Sequence, residues 1–254
     1  MAQAVASPGI SPLQQLFTFT RQTAGVEKTL RLVQAVSQIV GVISDNEILA
    51  TQCMMARDQL ALARRYIRFL DFYSCFARVH DLLASPSSTG TILSVMELAQ
   101  YTFLGLFRLL EDFTILHDSN IARVEWARPL MIEANKFWFY SLALSIMRVT
   151  WELFFPIVAP SRTTSSSDKA STPGKDGDGD GDSDSTMQKK TEQQQQQQQS
   201  PPKWPLIKQI IISGCDLTQP GSFIRWVPAT GLQIGLGMVV STILSGHDVW
   251  LAQQ

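Results

Sequence analysis

Residues 225–250 read RWVPATGLQIGLGMVVSTILSGHDVW, and within them Val227–Leu244 is eighteen residues without a charge. A run of that length and apolarity meets the minimum for a helix that crosses a bilayer. Trp226 and Trp250 stand at its ends, where aromatic side chains anchor such helices, and Arg225, His247 and Asp248 close it on either side. Pro228 falls near the start, where a helix tolerates it. Gly231 and Gly235 form a G-x-x-x-G, which lets two such helices approach closely and makes the pair a candidate for self-association. The alternative is a buried hairpin helix.

The rest of the chain favours the membrane reading. Lys and Arg total 21 and Asp and Glu total 22 over 254 residues, a net charge of -1 that gives no reason to expect nucleic acid as a partner. Thirteen of those charges sit in residues 161–203, so the other 211 residues carry 30, about 14% against roughly 25% for an ordinary soluble domain. Disordered and disulfide-scaffold classes are thereby excluded for the whole. Cys53, Cys75 and Cys215 are widely spaced and odd in number, which suggests a reducing compartment. MAQAVASPGI has no basic region followed by an apolar one, so no secretory signal is expected.

Helix starts are legible along the chain. Ser11-Pro12-Leu13-Gln14 has a capping serine, a proline at the first helical position and a glutamine at the third. A second helix is expected from Val26 to about Val42, with Leu30, Val33, Val36 and Val40 at helical spacing. Ser44-Asp45-Asn46-Glu47 is a capping box that opens a long helix to about Leu83, ended by Ser85–Gly90. Further helices are expected over Thr91–Leu116 and from Pro129 to Pro156, around a polar loop at 117–128. No strand-period alternation of useful length occurs, so the fold class is all-α. Three regions follow: a helical membrane-associated region at 1–159, a disordered low-complexity linker at 160–203, and a C-terminal membrane segment at 204–254. The linker holds DGDGDGDSDS and Gln193–Gln199, a composition that cannot offset its ordering entropy by apolar burial.

Chemistry is hard to place on this sequence. The acids from Asp176 take positions one, three and five of a calcium loop, with Gly181 at six, but Met187 stands where a bidentate glutamate is required. His80, His117 and His247 are isolated from metal-ligand spacings. Gly231, Gly235 and Gly237 have no preceding strand and cannot cradle a dinucleotide. No enzymatic activity, metal or cofactor is expected.

The sharpest pattern lies in residues 57–79, expected as one basic amphipathic helix. At about 100° per residue, Arg57, Arg64 and Arg68 fall within about 40° of one another, with Arg65 beside them. Leu62, Tyr66, Phe69, Leu70 and Tyr73 cluster opposite. Arginines suit lipid phosphates while an aromatic face enters the acyl boundary, and the apolar segments on either side favour this over a core helix with a solvated basic face. Thr91–Leu110 carries Glu97 and Arg108, and Phe137–Val158 carries Arg148 and Glu152. Each is compatible with an interfacial, bundle-facing or spanning position.

Several segments, in order and spacing, resemble the peroxin eleven family of peroxisomal membrane-proliferation proteins, in a fungal-type version. These are Gly25–Gln34, Arg64–Phe69, Phe107–Asp112, Lys136–Phe139, and Cys215-Asp216-Leu217 with Pro220, Trp226 and Gly235–Ser245. Val26 and Ala35 depart from the family's usual Arg and Tyr. The resemblance implies a non-enzymatic protein of the peroxisomal membrane that inserts an amphipathic helix into anionic lipid of the cytosolic leaflet. It also implies a homo-oligomer that elongates the membrane before fission machinery, including a dynamin-related GTPase, divides it. A channel for small metabolites is the alternative. Lys203, Lys208 and Arg225 precede the last span, which favours a cytosolic linker.

Overall fold

Seven helices run through residues 22–84, 91–155 and 203–251, the parts of the chain that this computed structural model describes, and no strand occurs among them. α1 spans Thr23–Ile43, α2 Glu47–Ile67, α3 Phe72–Ala84, α4 Thr91–Asp118, α5 Ala127–Phe154, α6 Trp204–Phe223 and α7 Gly231–Leu251. The expected helix from Ser11, the Ser85–Gly90 breaker, the Asp176 loop and the linker up to residue 202 lie outside the described residues.

Caps fix two of the starts. Asn46, rather than Ser44, is the N-cap of α2: its Oδ1 accepts from the amides of Ile48 and Leu49 at 3.0 and 3.3 Å. Thr230 and Gln233 make a reciprocal capping box at α7, with the Gln233 amide 3.3 Å from Thr230 Oγ1 and the Thr230 amide 2.9 Å from Gln233 Oε1. The uncharged run from Val227 therefore enters its helix only at Gly231. Before that the chain folds back on α6, where the amides of Trp226 and Val227 both donate to the Gly221 carbonyl at 2.8 and 3.0 Å. A side chain at Gly221 would place its Cβ 2.6 Å from Val227, so glycine is required for the approach.

One expected element is corrected. The helix read as continuous through residues 57–79 breaks at 68–71. Leu70 has φ of 66°, the left-handed region that a helix interior excludes. The turn is held from α4: the Leu70 amide donates to Asp112 Oδ2 at 3.0 Å, and Asp71 pairs with Arg108 at 3.0 Å. Neither glycine nor proline marks the break, because its cause is tertiary.

Packing runs α1–α2–α4–α5–α6–α7 and back to α1, a closed ring of six helices with α3 laid against α4. Aromatic stacking joins α4 to α5, with the Phe107 and Trp138 rings 4.9 Å apart. Small residues join α5 to α6, where Ser145 and Ser213 hydroxyls lie 3.4 Å apart. The ring is polar inside and apolar outside. In α1, Arg31, Gln34 and Gln38 are buried while Val33, Val36 and Val40 point outward. Among the described residues, 13 buried side chains are polar or charged against 9 hydrophobic ones, and 34 large hydrophobic side chains are exposed. Water-soluble domains have the opposite order.

Candidate functional site

The polar interior begins with arginines of α1, α2 and the α2–α3 turn that reach carboxylates on other helices. Arg64 of α2 reaches α1, where its Nε and Nη2 donate to Glu27 Oε1 at 2.9 and 2.6 Å and its Nη1 donates to Gln34 Oε1 at 2.7 Å. Arg65 turns to α4, donating to the Glu111 carbonyl at 2.7 Å, standing 3.4 Å from the Glu111 carboxylate, and bonding Thr114 and Asp118. Arg68 stands 3.6 Å from that same carboxylate. Arg31 of α1 donates to Ser241 of α7 at 3.1 Å and pairs with Asp216 of α6. Lys208 pairs with Asp248, tying α6 to α7 again.

Burial and charge oppose each other at this cluster, on α1 and α2 outside the two candidate spans. Burial pushes the Glu27 carboxyl up, but Arg64 and then Lys28 outweigh it and hold the group down at about 2. Burial pushes the Arg64 guanidinium down to about 10; Glu27 opposes this, while Arg68 and Arg31 add to it as like charges. Lys28 and Arg68 are lowered too, with burial the first cause in each.

The residues picked from 57–79 divide between the two sides of the ring. Arg64 is buried, at 7% exposure, and Arg65 and Arg68 are half-buried against α4. Arg57 pairs with its neighbour Asp58 at 2.6 Å, and Leu62 is half-buried. Tyr66, Phe69, Leu70 and Tyr73 are exposed, Tyr73 at 67%. The expectation that the arginine face points out toward phosphates is thus corrected: carboxylates of the same chain hold Arg64, Arg65 and Arg68. A guanidinium in a medium of low dielectric is best satisfied by a paired carboxylate, and those partners lie on other helices.

Gly231 and Gly235 pack inside the chain. The close approach they allow is present, but its partner is α1. A Cβ at Gly235 would lie 2.7 Å from Ile39 and one at Gly231 would lie 3.1 Å from Val42, while Gln38 donates to the Gly231 carbonyl at 2.7 Å. The face expected to serve self-association is filled within the chain.

Sequence reasoning missed Glu27, Arg31, Glu111 and Asp216 as members of the network. The available signal was their placement: a charge inside a largely apolar helix implies a partner.

The sequence matches the peroxisomal biogenesis factor 11 (PEX11) family over residues 13–250. The chain belongs to this family. Comparison with curated proteins and with solved structures finds no match. PEX11 membership gives the chain a role in peroxisome biogenesis, as the resemblance implied. Among the described residues of this PEX11 chain, two helices, Ile92–Asp118 within α4 and Gly231–Leu251, are long and apolar enough to cross a membrane. The matched range takes in the ring up to but not including the last residue of α7, and every ion pair named above.

Proposed function

We propose that this chain is a non-enzymatic protein of the peroxisomal membrane that curves and elongates the bilayer, promoting peroxisome proliferation and fission. In this reading it works as a homo-oligomer and hands the elongated membrane to a dynamin-related GTPase. One observation carries the reading: a ring that buries arginine, glutamate and glutamine while presenting its valine, isoleucine and aromatic side chains outward. Lipid is the solvent in which that order is stable. The outward cluster Tyr66, Phe69, Leu70 and Tyr73 at the α2–α3 turn supplies a wedge that enlarges one leaflet.

The test separates the wedge from the scaffold. Full-length protein reconstituted on liposomes containing anionic lipid is expected to tubulate them. Replacing Tyr66, Phe69 and Tyr73 by Ser removes about 1.5–3 kcal/mol of burial per side chain and abolishes tubulation, with the helical signal and melting temperature retained. Tubulation undiminished in that variant rejects the wedge.

A second reading, a channel for small metabolites, is favoured by the closed ring and the charged cavity inside it. Conductance across planar bilayers by the Ser variant, with tubulation lost, would assign the activity to the ring.

A further inference from the structure

A half-open cavity of about 480 Å³, within the range of small-molecule sites, is lined by α1, α2, α4, α5, α6 and the α2–α3 turn. Five cationic side chains line it: Lys28 and Arg31 from α1, Arg64 from α2, Arg68 from the α2–α3 turn and Arg108 from α4. Three carboxylates line it as well, and each holds a guanidinium. Glu27 holds Arg64 at 2.6 Å, Asp71 holds Arg108 at 3.0 Å, and Asp216 holds Arg31.

Lys28 and Arg68 have the longer pairings. The Lys28 ammonium stands 3.7 Å from Glu27 Oε2, while Arg64 holds Oε1 of the same carboxylate. The Arg68 guanidinium stands 3.6 Å from Glu111, which Arg65 shares at 3.4 Å. An excess of like charge lining a cavity is costly. An anion in the cavity offsets it.

We propose that this cavity is a binding site for a phosphate-bearing ligand, held by Lys28 and Arg68. The excess of two positive charges among the lining side chains fits a phosphate carrying close to two negative charges at neutral pH better than a single carboxylate. Phosphate oxygens accept from a guanidinium fork and from an ammonium together. The volume leaves room for an organic substituent beyond the phosphate. Two sources share this chemistry, a soluble phosphate compound and the phosphate headgroup of a lipid. The proposal does not rest on the membrane-curving reading, which is tested by tubulation.

The experiment uses the full chain in an uncharged detergent. Its melting temperature is followed as inorganic phosphate or pyrophosphate is added, against chloride at matched ionic strength. In a parallel arm the chain sits in phosphatidylcholine nanodiscs with or without phosphatidic acid. Stabilisation by phosphate or pyrophosphate beyond chloride assigns a soluble ligand, and stabilisation by phosphatidic acid alone assigns a headgroup; either supports the site. The variant carrying Lys28→Gln and Arg68→Gln is expected to bind at least tenfold more weakly. Should that variant fail to fold, Lys28→Met alone is expected to weaken binding severalfold. Binding undiminished in the folded variant overturns the proposal, as does the absence of any response to phosphate, pyrophosphate and phosphatidic acid.

Discussion

Glu27 and Arg64 form a buried pair whose two halves contribute with opposite sign. Holding Glu27 at about 2, from an ordinary value of 4.5, favours its charged form by about 3 kcal/mol. Lowering Arg64 from 12.5 to about 10 disfavours its charged form by a comparable ~3 kcal/mol, since burial and the neighbouring arginines act on it. Buried ion pairs commonly contribute little net stability. The pH dependence of this pair is not small, because Arg64 stays charged throughout the acid range. A depressed carboxyl stabilises fully above its unfolded value, and that contribution fades as pH falls from 4.5 toward 2. Between pH 7 and pH 3 the chain in detergent is expected to lose about 2 kcal/mol through this group alone. Melting followed across that range checks it, and Glu27→Gln should remove this share of the acid sensitivity. An equal acid loss in Glu27→Gln would assign the effect to other carboxylates.

At the scale of elements, α7 shows what was readable and what was not. Its length, its missing charges and its glycine spacing all stand in the sequence, and so does the Thr230–Gln233 box that starts it. The identity of the helix that fills the glycine face does not, because G-x-x-x-G specifies only that a backbone comes close. The break at 68–71 was unreadable for a related reason: Asp112 and Arg108, some forty residues on, hold the turn. Likewise Val33, Val36 and Val40 announce a helical face but not whether lipid or protein covers it. The partners themselves lie inside the segments that carried the family resemblance, Glu27 and Arg31 in the first, Glu111 in the third and Asp216 in the last. Gly235→Val tests the reassigned face. Its added bulk meets Ile39 and is expected to cost about 1–3 kcal/mol, read as a lower melting temperature in detergent. Ile39→Ala in the same chain should restore part of that loss by making room. If the glycine pair served contact between chains instead, Gly235→Val would change the oligomer distribution and Ile39→Ala would not rescue it.

For the whole molecule, the inverted order of polar and apolar residues makes the surrounding solvent a measurable quantity. Leu236 and Val240 lie on the outer side of α7, both exposed, with Val240 near the middle of the helix. Exposed sites of a water-soluble protein accept a lysine within about 0.5 kcal/mol. The same substitution at the centre of a spanning helix costs about 2.5–3.5 kcal/mol, on the order of a hundredfold in partitioning. The native chain is expected to stay in the pellet after alkaline carbonate extraction of membranes. Val240→Lys should shift part of it to the supernatant, and Leu236→Lys with Val240→Lys should shift more. Lysine at the Arg225 turn, outside the helix, serves as the control and should leave retention unchanged. Because the buried side of α7 is untouched in each variant, a loss of retention reports on lipid contact and not on the Arg31–Ser241 bond or the Gly235 packing. Full retention of the double variant, together with an unaltered melting temperature, would place the outer face of α7 in water and require another cover for the exposed apolar surface.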